Sequence, residues 1–482
     1  MNPNRLVAAL TLMSSFMLIA QSVAQKPVPK NILFLLADDQ RSDVLGCYGN
    51  EIIQTPTIDR LAAEGVRFEN FFCETPICSA SRATIISGLT QRTHGYNFGE
   101  PAVPAKYIKT SYPAYLKANG YRTGFTGKFG FKFSDKKDKK ELFDFYKPYG
   151  RDPYLKKMPD GSLRHETDLC ADAAIEFIET NPKGQPFCMS VSFNASHAED
   201  KDHRPGYHFQ WPESTDGLYE DIEMPAPKLG DKKYFQALPG FLQDKDALSR
   251  QRYFWRWDTP EKYQINMRAY YRMVTGIDNA VARILEALKE AGLDQNTVIV
   301  YTGDNGFMKA DRGVAGKWNH YDQALNVPFV VYDPTLPEAK RGRVISEQGT
   351  LLSVAPTIVE WAGLEQPQAY QGPSLVKLVN GNDVADWQEG VFCEHYFDRY
   401  NNWHGIRTKK YKYAVYYDEP GGPYECLYDL EKDPAEFVNL ASNPEYAAVR
   451  TKMKARLDQT LAELPMADKP AKKSKKSAKK AK

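Results

Sequence analysis

The stretch that decides the fold is Lys30-Asn31-Ile32-Leu33-Phe34-Leu35-Leu36-Ala37-Asp38-Asp39. Residues 32–36 are all apolar and do not alternate with polar residues, which predicts a strand buried on both faces. Such strands occur in parallel sheets that helices cover on both sides. The two aspartates follow at the point where this strand would end, which is where open α/β sheets place their ligands.

Helices and further strands alternate outward from this stretch. Thr55-Pro56 predicts a helix start, with Thr as the N-cap and Pro at the first helical position. Residues 187–193 and 297–302 are two more candidates for buried strands. Between them, residues 267–288 have apolar residues at helical spacing, and Gly292 closes that helix. The alternation predicts an α/β fold with a large, mainly parallel sheet sandwiched by helices.

The pattern changes after about residue 367. Short aromatic pieces such as Tyr411–Tyr416 are typical of strands, and Glu419-Pro420-Gly421-Gly422-Pro423 interrupts them. The sequence therefore predicts a main domain over residues 25–366, followed by a smaller C-terminal α+β subdomain with an antiparallel sheet over residues 367–466.

The two ends of the chain have distinct compositions. Arg5 precedes a largely apolar run over 6–20 and the small-x-small segment Ser22-Val23-Ala24, which predicts a signal peptide over 1–24 and a periplasmic or secreted product. No later segment has the roughly 18 apolar residues of a membrane span. Residues 467–482 include eight lysines and no acidic residue after Asp468, which predicts a disordered tail. Apart from this lysine-rich tail, nothing in the sequence supports nucleic-acid binding.

The chain has seven cysteines. Because this number is odd, at least one cysteine has no disulfide partner even in an oxidising compartment. Their scattered spacing matches no zinc-binding pattern. The pairing of the others stays open.

Polar residues follow two of the predicted strands. Asp38-Asp39 ends the first strand, and Asp304-Asn305-Gly306 follows strand 297–302. Either segment alone is also typical of a turn. Together, at equivalent strand ends, they predict an oxygen-only site that suits Ca²⁺ or Mg²⁺ rather than zinc.

A third segment, Thr75-Pro76-Ile77-Cys78-Ser79-Ala80-Ser81-Arg82, precedes the helix-compatible residues 83–87. Cys78 would stand at a helix start, where the backbone N–H groups and the dipole favour an anion. Arg82 would lie one turn further on the same face. A buried structural cysteine is the usual alternative. A cysteine protease nucleophile is another, but it needs a positioned histidine.

The segment Cys78-x-Ala80-x-Arg82 is similar to the signature of the formylglycine-dependent sulfatases, in which this cysteine is oxidised to formylglycine during export. Other segments resemble further motifs of that family in the same order, and together the matches cover roughly residues 30–440. These segments are Lys30 through Asp39, Tyr301 through Gly306, Gly316-Lys317 with Tyr321-Asp322 and Val327-Pro328-Phe329, and Leu427 through Pro434 with Asn439-Leu440.

The resemblance implies a fold similar to that of alkaline phosphatase and a formylglycine-hydrate nucleophile. It also implies a maturation enzyme as a partner, and Ca²⁺ or Mg²⁺ as the cofactor. The implied metal ligands are Asp38, Asp39, Asp304, Asn305 and the oxidised Cys78. Arg82, Lys128 and Lys317 would hold the sulfate oxygens and the nucleophile, and His197 would lie near the leaving oxygen.

The sequence departs from the family pattern at one place. The family usually has Gly-Lys-Trp-His where this chain has Gly127-Lys128-Phe129-Gly130. The histidine that normally contacts the nucleophile is absent, and His94, His320 or water are candidates to replace it. Ala80 is also less common than proline at its position, which is consistent with a different maturation enzyme.

The sequence thus predicts hydrolysis of a sulfate ester, most simply on a sulfated saccharide. Trp403, His404 and Arg407 are candidates to line a sugar pocket, although ordinary packing explains them as well. Two alternatives stay open. One is a phosphodiester or phosphonate monoester hydrolase of the same superfamily, and the other is a non-catalytic carbohydrate-binding pseudoenzyme.

Overall fold

The computed structural model describes residues 29–98, 101–135, 138–204, 206–396 and 401–467. The predicted signal peptide and the lysine-rich tail, apart from Ala467, lie outside these ranges. The strands are β1 Asn31–Ala37, β2 Val66–Phe68, β3 Phe71–Phe72, β4 Arg122–Gly127, β5 Phe145–Pro148, β6 Leu155–Lys157, β7 Leu163–His165, β8 Phe187–Ser192, β9 Thr297–Gly303, β10 Met308–Lys309, β11 Ala315–Gly316, β12 Phe329–Tyr332, β13 Arg343–Ile345, β14 Gly349–Thr350, β15 Gly390–His395, β16 Trp403–Thr408, β17 Tyr411–Tyr416 and β18 Tyr424–Asp429.

The α-helices are α1 Pro56–Glu64, α2 Cys78–Ser87, α3 Gln91–His94, α4 Tyr112–Ala118, α5 Asp138–Leu142, α6 Glu166–Glu179, α7 Lys232–Gln236, α8 Gly240–Gln243, α9 Leu248–Arg256, α10 Pro260–Glu290, α11 Asp322–Leu325, α12 Val354–Trp361, α13 Val376–Val379 and α14 Ala447–Glu463. Among the described residues, no helix combines the length and apolar character needed to cross a bilayer. All seven cysteines lie in the described ranges, and each is a free thiol.

The large sheet has eight strands in the order β13-β2-β12-β9-β1-β8-β4-β5. Strand β1 lies at its centre and pairs in parallel with both β9 and β8. Only β12 runs antiparallel to its two neighbours. The predicted large, mainly parallel sheet is confirmed, and so are its three predicted strands.

The sheet separates two apolar cores, and β1 contributes to both. Ile32, Phe34 and Leu36 point into the core that contains α2, α4 and α12. Leu33 and Leu35 point into the opposite core, with α1, α6 and α10. Because both faces are covered, every residue of β1 is buried, which explains why the sequence shows no polar alternation.

Helix α1 begins where the sequence predicts, but its N-terminus is capped from a distance. The Thr55 hydroxyl accepts a hydrogen bond from the Gly46 N–H at 3.0 Å rather than capping the helix. The carboxylate of Asp278, in α10, accepts from the N–H groups of Thr57 and Ile58 at 3.1 and 2.8 Å. The carboxylate thus supplies the acceptor that a helix start needs, and it joins α1 to α10.

Helix α10 is longer than the predicted 267–288. It begins at Pro260, after Thr259, whose hydroxyl accepts from the Lys262 N–H at 3.3 Å. Gly292 follows the end of the helix with φ of +67°, which glycine adopts without strain.

The C-terminal strands form an antiparallel sheet in the order β15-β16-β17-β18, as predicted. Met453 and Leu457 of α14 pack on one face against Ile406, Tyr413 and Leu427. The opposite face joins the core under α2. The position of the domain boundary at residue 367 stays a prediction.

Candidate active site

Two polar segments leave the large sheet at one edge. Ala37, the last residue of β1, lies opposite Gly303, the last residue of β9, so Asp38 and Asp304 follow at the same level. The backbone N–H of Asp39 donates to Oδ1 of Asp304 at 3.1 Å. Asp38, Asp39, Asp304 and Asn305 are all at most 1% exposed. The structure therefore brings these four residues together, as the sequence predicts.

Helix α2 directs Cys78 toward the same edge. Cys78 is the first residue of the helix, as predicted, and Gly88 ends the helix with φ of +68°. The Ser81 hydroxyl donates to the backbone carbonyl of Asp304 at 2.6 Å, which fixes the start of the helix against the end of β9. A ligand atom of Cys78 lies within 4.8 Å of one from Asp38 and one from Asp304.

Three cations face the three carboxylates. Arg82 Nε donates to Asp304 Oδ2 at 2.8 Å, and its Nη2 lies 3.4 Å from Asp38 Oδ2. Lys128 Nζ pairs with Asp38, and Lys317 Nζ pairs with Asp39. The cations predicted to hold sulfate are therefore also the counterions of the predicted metal ligands.

These pairings set the charge states at the sheet edge. Burial acts to raise the pKa of Asp38, but the Lys128 and Arg82 cations outweigh it and hold that pKa below its usual range. Burial and the adjacent Asp38 charge raise the pKa of Asp304. Burial disfavours the Lys317 cation, but the Asp39 carboxylate more than compensates, and the pKa of Lys317 is raised.

Three buried oxygens at this edge have no hydrogen-bond partner among the described residues. They are Asp38 Oδ1, Asp39 Oδ2 and Asn305 Oδ1. The Asn305 amide donates to Asp39 Oδ1 at 2.8 Å, so its oxygen is free to act as a ligand. A buried acceptor without a donor costs about 1–3 kcal/mol, and a hard divalent cation would satisfy all three. The residues present therefore fit a Ca²⁺ or Mg²⁺ site.

His197 lies in the loop after β8 and faces the carboxylates. Its Nδ1 donates to the Ala198 carbonyl at 2.6 Å, and its Nε2 is 3.5 Å from Asp39 Oδ2. Burial and then the cations Arg151 and Lys317 lower the pKa of His197 well below its ordinary value.

A cavity of about 220 Å³ opens above Cys78. Among the described residues that line it, His197 is the only histidine. The lining residues are Ile77, Cys78, Ser79, Phe98, Lys128, Gly130, Arg151, His197, Asp200, Arg252, Lys317 and Trp318. A larger cavity of about 490 Å³ lies between α14 and the loop before β15, and none of the predicted site residues lines it.

Five of the lining residues were missed by the sequence analysis: Phe98, Arg151, Asp200, Arg252 and Trp318. Trp318 directly follows the predicted Lys317, and Asp200 lies three residues after His197, so proximity in sequence was an available signal for these two. Phe98, Arg151 and Arg252 lie outside every recognised motif, and only the fold brings them to the cavity.

His94 and His320 do not replace the missing family histidine. His94 is buried against α2, with Nε2 3.3 Å from the Thr84 hydroxyl and Nδ1 accepting from the Tyr96 N–H. The His320 ring contacts the hydroxyl groups of Tyr416 and Tyr428 at 2.8 and 3.3 Å. Neither lines the cavity, so both candidates are wrong.

The backbone explains why residue 130 carries no side chain. Gly130 has φ of +82°, and a Cβ built on it would lie 2.6 Å from Cδ of Arg82. Any larger residue would be strained, and the Arg82 side chain, which donates to Asp304, would have to shift. The absence of the family histidine is therefore linked to the path of the Arg82 side chain.

The proposed sugar pocket at Trp403, His404 and Arg407 is also wrong. Trp403 is buried and donates through Nε1 to the Trp318 carbonyl at 2.9 Å. Arg407 is bound to Asp322. His404 stacks on Tyr417 at 5.0 Å between ring centroids. These residues serve packing, although Trp403 supports the backbone of Trp318, which does line the cavity.

Comparisons with known proteins agree with this geometry. The Sulfatase family model matches residues 30–364, and the model for the C-terminal region of N-sulphoglucosamine sulphohydrolase matches residues 311–463. The chain is similar to an arylsulfatase of Clostridium perfringens, with 30% identity over 86% of this chain and 91% of the relative. It is also similar to an N-acetylglucosamine-6-O-sulfatase of Bacteroides thetaiotaomicron, with 28% identity over 95% of this chain and 91% of the relative.

Solved structures show the same architecture. A protein in complex with its substrate D-glucosamine-2-N,6-O-disulfate has a TM-score of 0.74 and 25% identity, over 90% of this chain and 98% of that chain. The phosphonate monoester hydrolase of Agrobacterium radiobacter has a TM-score of 0.75 and 23% identity, over 90% and 96%, which shows a shared fold alone. The family model covers more than half of the chain, and the resemblance inferred from the motifs is confirmed. The chain belongs to the sulfatase family and is a sulfuric ester hydrolase.

Proposed function

We propose that this sulfatase hydrolyses a sulfate ester on a saccharide to an alcohol and inorganic sulfate, through a formylglycine made from Cys78 and with a divalent cation. The observation that supports it best is that Cys78 and two lysines line one cavity, and that three carboxylate and amide oxygens without a hydrogen-bond partner among the described residues lie beside them. The saccharide part is supported by the relatives named above, one of which is an N-acetylglucosamine-6-O-sulfatase.

The proposed cation is Ca²⁺, with Mg²⁺ as the alternative. Asp38, Asp39, Asp304 and Asn305 would hold it, together with the oxidised side chain of residue 78. When bound, such a cation supplies positive charge that favours ionisation of a nearby hydroxyl and offsets charge on the sulfate. The carboxylates also neutralise Lys128 and Lys317, so metal and lysines share one set of anions.

The remaining residues position the sulfate and the nucleophile. Lys128 and Lys317 line the cavity and would contact sulfate oxygens. Arg82 lies deeper, donating to Asp304 and, through Nη1, to the Lys128 carbonyl at 2.6 Å. Its buried Nη2 has no hydrogen-bond partner among the described residues. This nitrogen would donate a hydrogen bond to the hydrated aldehyde at residue 78.

His197 is proposed to donate a proton to the leaving alcohol oxygen. This role requires a proton on both ring nitrogens, because Nδ1–H is already directed at the Ala198 carbonyl. The negative charge of a bound sulfate would favour that doubly protonated form. The depressed pKa of the unliganded site is the feature that substrate binding has to overcome.

The proposal is tested by release of inorganic sulfate from a panel of defined sulfated oligosaccharides, with matched phosphate esters and phosphonate monoesters assayed in parallel. Turnover of the sulfated compounds is expected, and preference for the phosphorus compounds would favour the phosphonate hydrolase alternative. Saccharide binding without any turnover would favour the pseudoenzyme alternative, against which the complete set of metal ligands argues.

Location and maturation belong to the same proposal. We propose a periplasmic or secreted enzyme, because the N-terminal residues have the pattern of a signal peptide, and a formylglycine-generating enzyme as the maturation partner. Cell fractionation and N-terminal sequencing of the mature protein test the first point. The second point is tested by mass spectrometry of the protein expressed with and without a maturation enzyme. Formylglycine at residue 78 is expected only with that enzyme.

A further inference from the structure

The cavity above Cys78 has a second group of cations that the chemistry described so far does not use. We define the arginine cluster as Arg151, Arg252 and Arg256, which surround the single carboxylate of Asp200. Arg151, Arg252 and Asp200 line the cavity, whereas Arg256 lies behind them and is fully buried. Arg151 and Arg252 are close enough to His197 to lower its pKa, after the larger effect of burial.

The Asp200 carboxylate does not pair with all the donors of the three arginines. Arg252 Nη2 lies 2.9 Å from Asp200 Oδ2, and Arg256 Nη2 pairs with Oδ1. Arg151 comes no closer than 3.8 Å to the same carboxylate. Within the described ranges Arg151 makes no hydrogen bond, and the Nε atoms of all three arginines are buried without a partner.

The other acidic groups nearby have partners of their own. Asp152 Oδ2 binds Lys201 Nζ at 2.9 Å, and its Oδ1 is 3.8 Å from Arg151 Nε. Glu199 Oε1 accepts from the Lys201 N–H at 2.7 Å. Neither carboxylate lines the cavity. The described lining residues include one carboxylate and four basic side chains, which belong to Lys128, Arg151, Arg252 and Lys317.

The two lysines and the two arginines of the cavity differ in how far carboxylates neutralise their positive charge. Lys128 and Lys317 are each paired with a carboxylate of the proposed metal site. Arg151 and Arg252 share the single carboxylate of the lining, that of Asp200, with Arg256. Asp38 also attracts the Arg151 cation, but Asp38 is already paired with Lys128, so the arginine side of the cavity keeps a surplus of positive charge. Planar guanidinium groups bind sulfate and carboxylate groups through two parallel hydrogen bonds, which a lysine cannot do.

We propose that Arg151 and Arg252 form a second anion subsite, which binds a further sulfate or carboxylate group on the same saccharide whose sulfate ester is cleaved. This inference rests on the proposed function and narrows its substrate class to doubly anionic saccharides. Arg252 also lies 4.9 Å from the centroid of the Trp318 ring, which holds the guanidinium in place. Phe98 and Trp318 provide apolar walls for the sugar ring between the two anions.

The first test needs no variant. Three saccharides that share one scissile sulfate are compared with the wild-type enzyme: one with no other charge, one with a second sulfate, and one with a carboxylate. We expect higher kcat/KM for the doubly anionic compounds, chiefly through lower KM. The rank order of the second and third compounds identifies which anion the subsite takes. Equal kcat/KM for all three would overturn the inference while leaving the proposed function intact.

The second test measures, in variants, the ratio of kcat/KM for a doubly anionic saccharide to kcat/KM for the saccharide with no other charge. In Arg151→Ala and Arg252→Ala, the preference for the doubly anionic substrate should fall about 10–100-fold, the effect expected for hydrogen bonds between charged groups. Arg252→Lys should recover only part of this preference, because lysine keeps the positive charge but lacks the two parallel N–H donors of a guanidinium group. Arg204→Ala is the matched control, since this arginine is exposed and lies outside the cavity. An unchanged ratio in both alanine variants, or an equal drop in the control, would overturn the inference.

A third measurement separates binding from turnover. In Cys78→Ala the proposed nucleophile is missing, so titration calorimetry can follow binding of the intact saccharides. The doubly anionic compound should bind more tightly, and the added Arg252→Ala change should remove that difference. If the wild-type enzyme turned over none of the three compounds but Cys78→Ala bound them with this pattern, the proposed function would fail while the subsite stood. Equal binding of charged and uncharged compounds would overturn the subsite itself.

Discussion

Two of the clusters of opposite charges in the protein differ in whether their carboxylate oxygens all have hydrogen-bond donors. The catalytic cluster contains Asp38, Asp39 and Asp304 with Arg82, Lys128 and Lys317. The C-terminal cluster contains Asp322 and Glu436 with Arg407 and Lys412, between α11 and the small sheet. Most members of both clusters are buried, while the side chains of Asp322 and Lys128 stay partly exposed, and acidic and basic groups alternate in each cluster.

In the C-terminal cluster every carboxylate oxygen has a donor. Asp322 accepts from Arg407 at 2.9 Å and from Lys412, and Glu436 accepts from Lys412 and from the Asp322 N–H at 2.8 Å. In the catalytic cluster, one oxygen of Asp38 and one of Asp39 have none among the described residues, and the cluster adjoins a cavity. Buried charge alone therefore does not identify an active site, whereas several buried carboxylate oxygens without donors beside a cavity are a more specific signal.

The largest effect is expected from Cys78→Ala. The change removes the proposed nucleophile and little volume, so sulfatase activity should fall about 10⁴–10⁶-fold while the fold persists. Peptide mass spectrometry of the active wild-type enzyme should find an aldehyde at residue 78. The matched control is Cys393→Ala, a thiol of similar burial in β15, which should remain active. A fully active enzyme with an unmodified thiol at residue 78 would contradict the assignment.

The next effect concerns the metal. Asp304→Ala removes one of the three carboxylates, so Asp38, Asp39, Asn305 and residue 78 would hold the cation with too few oxygens and too little negative charge. Bound divalent ion, measured by elemental analysis of the folded protein, and sulfatase activity should be lost together. Adding excess Ca²⁺ should restore at most part of the activity. A wild-type enzyme that works without any divalent ion would show that this cluster is not a metal site.

A smaller, substrate-dependent effect is expected from His197→Ala. A sugar alkoxide is a poor leaving group, so protonation by a general acid is worth about 10²–10⁴-fold. A nitrophenolate leaves without such help, because the ring spreads its charge. The variant should thus lose much more activity on a saccharide sulfate than on a nitrophenyl sulfate. Equal losses on both substrates would assign His197 to binding instead.

The sequence predicted the elements that local pattern controls. The uniformly apolar residues 32–36 required a strand covered on both faces, and parallel pairing then placed Asp38 and Asp304 at one edge. The prediction that Cys78 stands at a helix start followed from its segment running into the helix-compatible residues 83–87. The sequence signals were sufficient here because each residue lies within a few positions of a strand or helix end.

The sequence failed where long-range packing decides. Nothing near Arg151 or Arg252 in the chain indicates that a loop after β5 and helix α9 meet above Cys78. His94 and His320 are candidates by residue type to replace the missing histidine, but contacts with Thr84 and with two tyrosines hold their rings away from the cavity. Trp403 and Arg407 looked like sugar-binding residues because tryptophan and arginine also occur in buried polar contacts. Residue type alone cannot separate these roles.

The C-terminal cluster is expected to contribute to stability and not to catalysis. Lys412→Met removes the cation that joins Asp322 to Glu436 and leaves a hydrophobic chain of similar length. Breaking a buried ion pair by removing one partner costs about 3–5 kcal/mol, so the free energy of unfolding in urea should fall by that amount. Metal content and sulfatase activity per folded molecule should stay near wild type, because Lys412 does not line the cavity. Loss of bound metal in the folded variant would show that the two clusters are coupled. The same result would refute the separation of a saturated structural cluster from an open catalytic one.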